Sequence, residues 1–249
     1  MAADPARVLA WPDSGAVARP APALAPDPIA TRLAALSPDG LDLRAVAPLL
    51  GAPRPYGAHK QITAEGGAPV PARAVRSGWV GTTRIFADGR RQIQCLALPG
   101  EIIQPLAGYR APAGLVALTP VTLVTLERSA ATEPLGEAMK RSAALHEHYL
   151  LNQTARLGRQ LAFERVGHLL LELRDRLLLS GCGGEREYPM PLTQEAIADV
   201  LGLTSVHVNR TLQVMRRDEM IRIGGGIVTL LNPAALARVA DYSPPVALP

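Results

Sequence analysis

Hydrophobic residues recur at helical spacing in two adjacent short segments within residues 192–215. Thr193 and Thr204 stand where N-caps are expected, and Gly202, between the segments, can adopt the left-handed conformation that ends a helix. The spacing therefore predicts two short amphipathic helices joined by a tight turn. The positions predicted to be buried are Ile197, Val200 and Leu201 in the first helix, and Val208, Leu212 and Met215 in the second.

The second predicted helix carries its polar residues on the side opposite Val208, counting 100° per residue. Arginine, asparagine and glutamine are the side chains that pair bidentately with base edges in the major groove. The pattern is thus typical of a DNA-binding helix-turn-helix, although an ordinary helical hairpin with a solvated polar face would have the same spacing. The exposed face comprises Val206, Arg210, Gln213 and Arg217, flanked by Ser205 and Asn209 on one side and by His207 on the other.

A β-hairpin is predicted directly after this helix. Ile221, Arg222 and Ile223 lead into Gly224-Gly225-Gly226, and the residues that follow, 227–230, alternate and are partly β-branched. Helix, turn, helix and hairpin is the order of elements in a winged helix. A glycine tip can approach a phosphate backbone closely, but three glycines could equally form only a flexible turn.

Short β-rich runs punctuated by glycine occupy residues 56–127. Residues 78–86 and 91–98 flank Asp88-Gly89, which is a strong hairpin signal. Several short strands with regular turns predict a small sandwich or jelly roll. A second predicted strand pair consists of residues 116–118 and 121–126, on either side of Pro120.

A long helix is predicted next, with a stripe that is only partly apolar. A core helix in a single chain is usually more uniformly hydrophobic, whereas a seam with polar residues suits a helix that pairs with its own copy. A surface helix lying over the β-domain is the alternative. The stripe is Leu135, Met139, Ser142, His146, Tyr149, Gln153 and Leu157, and from it we predict a dimer interface of Leu135, Met139, His146, Tyr149 and Leu157.

Taken in this order, the elements resemble the Crp/Fnr family of bacterial transcription regulators over roughly residues 30–240. The resemblance implies an α+β protein with an N-terminal double-stranded β-helix (a jelly-roll, cyclic-nucleotide-binding-like domain), a long dimerisation helix and a C-terminal winged helix-turn-helix. The expected divisions are a disordered Pro/Ala-rich tail at 1–28, the β-roll at 29–130, the dimerisation helix at 131–159 and the DNA-binding domain at 160–249.

The resemblance also assigns roles at the DNA. Thr193 and Gln194 match positions that contact phosphates. The base-reading positions are matched by Ser205, Val206, Asn209 and Arg210. Val206 is a departure, because well-studied members carry a glutamate there, so the family's usual half-site is not expected. The full predicted set is Thr193, Gln194, Thr204, Ser205, Val206, His207, Asn209, Arg210, Gln213 and Arg217.

The effector of such a protein is not predicted by the sequence. Gly100 and Glu101 match the start of the turn that holds the phosphate of cyclic AMP in the family, but its arginine and hydroxyl are missing and Arg110 stands two residues early. A buried phosphate without a cation would be poorly compensated, so we expect no response to cyclic AMP. Gly100, Glu101 and Arg110 remain candidates for an effector pocket.

The spacing of the cysteines and histidines reduces the number of cofactors that the chain is expected to bind. Cys95 and Cys182 are far apart, so no four-cysteine iron–sulfur cluster is expected, and the histidines lack metal-ligand spacing. A buried, inert Cys95 is favoured over a redox switch, while Cys182, between two glycines, is the better candidate for reversible oxidation. Low cysteine use without a signal peptide or long apolar run predicts a cytoplasmic protein without a membrane span.

The distribution of charge adds little to the evidence for DNA binding that the helix-turn-helix pattern provides. The net charge is +4 overall, but residues 160–249 hold nine basic and ten acidic residues, so the basic signal is only a local patch at Arg210, Arg216 and Arg217. No catalytic motif is present, and we expect no enzyme. The expected partners are double-stranded DNA, a second copy, and RNA polymerase if the protein activates transcription. A protein-interaction module without specific DNA binding is the alternative.

Overall fold

The structure is a computed structural model that describes residues 26–37, 40–42, 44, 46–68, 71–103, 110–126 and 133–245. The tail predicted at 1–28 therefore lies almost wholly outside the described residues. Its last residue, Pro28, begins helix α1 (Pro28–Ala35), which is N-capped because the Asp27 carboxylate accepts a hydrogen bond from the Ile29 amide at 2.9 Å.

Two four-stranded antiparallel sheets form the N-terminal domain, as the sequence predicts. One sheet has the strand order β1-β8-β3-β6 and the other β2-β7-β4-β5. Apolar side chains on their facing sides, including Val75, Val80 and Leu123, form the inner core. The strands are β1 (Leu50–Tyr56, after a 3-10 turn at Ala47–Leu49), β2 (Gln61–Thr63), β3 (Arg73–Ser77), β4 (Val80–Ile85), β5 (Arg91–Ala97), β6 (Ile102–Ile103), β7 (Gly114–Ala117) and β8 (Val121–Leu126).

The hairpin predicted at Asp88-Gly89 joins β4 and β5, with Ile85 paired with Arg91 and Gly89 at a φ of 83°. The predicted pairing of residues 116–118 with 121–126 is wrong, because β7 and β8 belong to different sheets. The chain changes sheets at Pro120, where Gly78 lies against its carbonyl and leaves no room for a Cβ atom. Alternation predicts strands but does not identify the strand that each one pairs with.

Helices and a third sheet follow the sandwich. Helix α2 (Glu133–Arg159) is long, and α3 (Ala162–Leu179) packs beneath the C-terminal domain. The helix-turn-helix is α4 (Gln194–Leu201) and α5 (Ser205–Arg217). A three-stranded sheet of order β10-β11-β9 and a last helix complete the winged helix: β9 (Glu187–Pro189), β10 (Ile221–Gly224), β11 (Ile227–Leu230) and α6 (Pro233–Val239).

The predicted dimerisation stripe of α2 packs into the chain's own core. Leu135, Met139 and Tyr149 are buried against α1 and the first sheet, in a cluster that includes Leu33 and Val124. Within one chain these three residues are covered as in the alternative of a helix lying over the β-domain, and the interface with a second copy stays a prediction. Of the other stripe positions, Ser142 and Gln153 are buried as well, whereas His146 and Leu157 are half-buried.

Candidate DNA-binding site

The helix-turn-helix is built by the caps that the sequence predicts. The Thr193 hydroxyl accepts a hydrogen bond from the Ala196 amide at 3.1 Å, and the Thr204 hydroxyl accepts one from the His207 amide at 3.2 Å. Gly202 ends α4 in the left-handed conformation, with φ of 62° and ψ of 35°. These three residues define where α4 begins and ends and where α5 begins.

The inner sides of both helices are buried as predicted. Residues of α4 and α5 join one apolar core with α3 and the wing strands. The Tyr188 hydroxyl of β9 donates to the Leu170 carbonyl of α3 at 2.8 Å, which attaches the wing sheet to this core. The buried residues of the two helices include Ile197, Val200, Leu201, Val208, Leu212 and Met215.

The opposite face of α5 is open. Arg210 and Gln213 are exposed, and Val206 is 66% exposed although it is apolar. Among the described residues, nothing forms a hydrogen bond or ion pair with the Arg210 guanidinium. Its five N–H donors are therefore available to a ligand. Ser205, His207 and Arg217 are also exposed on this helix.

Three amide side chains connect the two helices across this surface. The Gln213 amide donates to the Asn209 side-chain oxygen at 2.9 Å, and the Asn209 amide donates to the Gln194 side-chain oxygen at 3.0 Å. Gln194 is the first residue of α4, so the network holds the amino end of α4 beside the middle of α5. It fixes Asn209 in one orientation before any ligand arrives.

The wing follows as a tight hairpin in which Gly224 pairs with Ile227. Gly225 and Gly226 have φ angles of 58° and 75°, and a Cβ at either would meet open space. Arg216 is not free, because it donates to the Ile223 carbonyl at 3.2 Å and so ties the end of α5 to β10. Arg217 forms an exposed ion pair with Asp218 at 3.0 Å.

The sequence did not reveal how the helix-turn-helix is held against the rest of the chain. The last carbonyls of α4 accept hydrogen bonds from side chains of three elements: Gln92 of β5 donates to Asp199 at 2.7 Å, Arg165 of α3 donates to Leu201 at 3.0 Å, and Gln153 of α2 donates to Val200. Arg91 adds an ion pair of 2.6 Å to the Asp199 carboxylate. Cationic and amide donors at a helix C-terminus are favourable because its carbonyls lack partners in the helix.

The turn with Gly100 and Glu101 faces the chain's own helices. Gly100 has a φ of 90°, and a Cβ there would lie 2.7 Å from the Pro28 carbonyl oxygen. The Glu101 carboxylate accepts from Arg176 at 2.9 and 2.6 Å and lies 3.4 Å from Arg32. Burial pushes the pKa of Glu101 upward, but Arg176 and Arg32 outweigh it and hold the pKa below its usual value.

Both oxygens of Glu101 are therefore occupied, since the Leu98 amide also donates to one of them at 3.1 Å. Arg110 is exposed and donates to the Gly66 carbonyl at 2.9 Å. Among the described residues, Glu101 and Arg110 thus have separate hydrogen-bond partners, and the effector pocket stays a prediction. Residues 104–109, between Glu101 and Arg110, lie outside the description.

The cysteines differ from each other in their surroundings. Burial raises the pKa of the Cys95 thiol to about 11, which agrees with an inert residue. Burial also raises the pKa of Cys182, so a low-pKa thiol of the kind that favours oxidation is not present there. Within the described residues, no group of three His, Cys, Asp or Glu could hold a metal ion, and no helix is long and apolar enough to cross a membrane.

The chain combines a β-sandwich, a long helix and a winged helix-turn-helix whose second helix has an open polar face. This combination is typical of a class of DNA-binding regulators. Known proteins that are similar to this chain belong to the same class. The family model described as a Crp-like helix-turn-helix domain matches residues 164–239. The nitrogen fixation regulation protein FixK of Azorhizobium caulinodans is 30% identical over 203 residues, which cover 77% of this chain and 80% of that protein.

The FixK protein of Rhizobium meliloti is 29% identical over 191 residues, covering 75% of this chain and 86% of that protein. Among solved structures, FixK2 from Bradyrhizobium japonicum has a TM-score of 0.68 at 23% identity, covering 79% of this chain and all of that chain. The chain belongs to the Crp/Fnr family and is a DNA-binding transcription regulator of that type.

Proposed function

We propose that this protein reads a specific DNA sequence with the exposed face of α5. The observation that carries the proposal is Arg210, which is exposed and has no partner among the described residues. Arginine with its donors free is the commonest reader of guanine, through the O6 and N7 atoms. We assign that role to Arg210.

Val206 is the second proposed base reader. With 66% of its surface exposed, this apolar side chain is suited to contact a thymine methyl group and cannot accept a hydrogen bond from a base. Hydrogen bonds with Gln194 and Gln213 hold the Asn209 side chain, so it is suited to read a neighbouring base without changing its rotamer. The remaining predicted residues of α5, namely Ser205, His207 and Arg217, lie around this centre.

Phosphate contacts are proposed at the amino ends of both helices. The Thr193 hydroxyl uses its oxygen as a cap, which leaves its proton able to donate to a phosphate oxygen, whereas the Thr204 hydroxyl is also hydrogen-bonded to the His207 Nδ1 atom at 3.1 Å. Each helix dipole adds a partial positive charge at the same end. The glycine tip of the wing, which is open on all sides, is suited to lie against the backbone of the same DNA.

The protein is proposed to act as a homodimer through the side of α2 that faces away from its own core. Apolar or small residues recur there every seven positions as the neighbouring pairs 143–144, 150–151 and 157–158. Leu151 is 63% exposed and Leu150 39% exposed, while Ala143, Ala144 and Gly158 are exposed as well. Positions seven residues apart lie on the same side of a helix, so these pairs form one exposed strip along the 27-residue helix.

This strip shares one residue, Leu157, with the dimer interface that was predicted from the sequence. A two-fold arrangement about it would present two copies of α5 to successive major grooves, about 34 Å apart, and so select a near-palindromic site. RNA polymerase would be a further partner if the protein activates transcription. We also propose that the protein is cytoplasmic and is not an enzyme.

Cyclic AMP is proposed not to control this protein. The carboxylate that would be expected to contact a nucleotide, Glu101, is paired with Arg176 and Arg32 inside the fold, and Arg110 is engaged with Gly66. A ligand shifts an equilibrium only by its differential affinity for two states. Calorimetry should therefore detect no tight cyclic AMP binding, and DNA affinity should not change when cyclic AMP is added.

The DNA proposal is tested by selecting bound sequences from a random pool and measuring affinity for the selected site by fluorescence anisotropy. Arg210→Ala should cost about 1–3 kcal/mol on that site and much less on random DNA. Arg54→Ala, on exposed strand β1, is the matched control and should leave both affinities unchanged. Equal losses on both DNAs for Arg210→Ala would refute the guanine assignment. Failure to select any sequence would favour a protein-interaction module.

The dimer proposal is tested separately by sedimentation of the double variant Leu150→Glu/Leu151→Glu. It should be folded and monomeric, with strongly weakened binding to the selected site. Leu178→Glu replaces another exposed leucine, on α3, and should remain dimeric. A double variant that sediments as a dimer would place the interface elsewhere.

A further inference from the structure

Five charged side chains meet in the interior between the sandwich and the DNA-binding domain. Arg176 donates to Glu101 and to Glu172, and Arg156 donates to Glu172 at 2.8 Å. Arg32 lies 3.4 Å from Glu101 and completes the cluster. None of the five is more than 6% exposed. Three guanidinium groups against two carboxylates leave one positive charge without a counter-charge.

Neighbouring groups do not supply the missing negative charge. Burial raises the pKa of Cys95 to about 11 and also raises the pKa of Tyr149, so both stay protonated near neutral pH. Burial lowers the pKa of His168 to about 4, and burial likewise lowers that of His146, so neither ring adds a further positive charge. The cluster therefore keeps a net charge of +1.

Arg156 is the member with the most unpaired donors, since Arg32 leaves only its Nε atom without a partner. Its Nη2 atom donates to Glu172, but its Nε and Nη1 atoms are buried and have no hydrogen-bond partner. A buried donor left unpaired is costly, and more so when it is charged. Two of the cluster's three unpaired guanidinium atoms therefore belong to Arg156, while the excess charge is shared by the cluster.

A small cavity lies at this point. Its volume is about 10 Å³, so it has room for only one small particle. It lies where β5, α2, α3 and the end of α4 meet. Its lining is Gln94, Cys95, Leu96, Tyr149, Gln153, Arg156, Leu169, Glu172, Arg176 and Val200.

We propose that this cavity binds one monovalent anion of the size of chloride, held by the unpaired donors of Arg156. Such an ion would neutralise the cluster and accept hydrogen bonds from Nε and Nη1 at the same time. The volume excludes a phosphate or a nucleotide. Since the lining comes from the sandwich, α2, α3 and α4, a bound anion would stabilise the contact between the two domains.

The test compares chloride with gluconate at constant ionic strength and pH, using the purified protein without DNA. Replacing gluconate by chloride should raise the midpoint of thermal unfolding progressively and saturably, as expected for a ligand that binds only the folded state. Chlorine NMR should show a broadened chloride signal that narrows when bromide competes for the site.

Arg156→Gln should abolish both effects. Removing Arg156 leaves two cations against two carboxylates, so the variant has a neutral cluster and should fold. Arg159→Gln, an exposed arginine near the end of the same helix, is the matched control and should retain the response to chloride. Should Arg156→Gln fail to fold, the competition between chloride and bromide on the unmodified protein still decides the question.

Equal stability in chloride and gluconate, together with an unbroadened chloride signal, would overturn the proposal and leave a water molecule as the partner of Arg156. Because neither measurement involves DNA, this outcome is distinct from a failure of the proposed base recognition. The inference does not depend on which sequence the protein binds.

Discussion

Arg176 makes more contacts to buried groups than any other arginine discussed above, and its replacement gives the sharpest test of how the two domains are held together. Its guanidinium donates to Glu101 at 2.9 and 2.6 Å, to Glu172 at 2.9 Å and to the Leu96 carbonyl at 2.6 Å. Its guanidinium carbon also lies 4.3 Å from the centre of the Tyr149 ring. Arg176→Met keeps most of the apolar volume and removes every one of these hydrogen bonds.

The expected loss of stability follows from the interactions that remain when Arg176 is replaced. Glu101 keeps Arg32 at the longer distance of 3.4 Å, Glu172 keeps Arg156 at 2.8 Å, and the Leu96 carbonyl loses its donor. Removing one partner of a buried ion pair costs about 3–5 kcal/mol. In a chain of this size that loss lowers the unfolding midpoint by roughly 6–20 °C.

Urea unfolding followed by circular dichroism measures the loss directly. Arg90→Met is the control, because Arg90 pairs with its neighbour Asp88 at 2.7 Å and both side chains are more than half exposed, so its loss should cost at most about 1 kcal/mol. In a double-mutant cycle with Glu101→Gln, the two losses should be strongly non-additive, since the residues share one interaction. An Arg176→Met variant within 1 kcal/mol of the parent protein, or additive losses, would refute the reasoning.

Three further predictions follow. Burial, assisted by Arg156, lowers the folded-state pKa of His168 from 6.5 to about 4, so its contribution to stability is complete above pH 6.5 and is lost as pH falls from there toward 4. His168→Asn should therefore flatten the decline in unfolding free energy between pH 8 and pH 5 by about 1–2 kcal/mol, and parallel curves would contradict this. Gly202→Ala should cost about 1–2 kcal/mol in urea unfolding because its φ is positive, and an unchanged stability would count against the strain. Val206→Glu should change the base selected at one position of the DNA site, whereas an identical selection profile would mean that Val206 does not contact a base.

Local features of the fold could be predicted from the sequence because the forces that set them act over a few residues. Thr193, Gly202 and Thr204 stabilise helix ends through atoms three or four positions away, and Asp88-Gly89 fixes a turn within itself. The apolar spacing of α4 and α5 likewise identified their buried sides. The exposed face of α5 followed directly from these elements.

Contacts between distant segments could not be predicted in this way. Periodicity shows that Met139 and Tyr149 lie on one face of α2, but a second copy or the chain's own α1 would cover that face equally well. The hydrogen bond from Gln92 to α4 joins residues 107 positions apart, and nothing in either segment marks it. Glu101 became an effector-pocket candidate through its match to the family's turn, and nothing near it in the sequence indicated its partners Arg32 and Arg176, which come from remote helices.

The way in which α4 is attached has a consequence for the divergence of related regulators. Gln92, Gln153 and Arg165 bind its main-chain carbonyls, which are present whatever side chains α4 carries. Apart from Asp199, the outward-facing residues of α4 and α5 are therefore free to mutate without loosening this attachment. A lineage can then acquire new binding sites in its genome by surface substitutions alone, while the reading helix keeps its position on the rest of the protein.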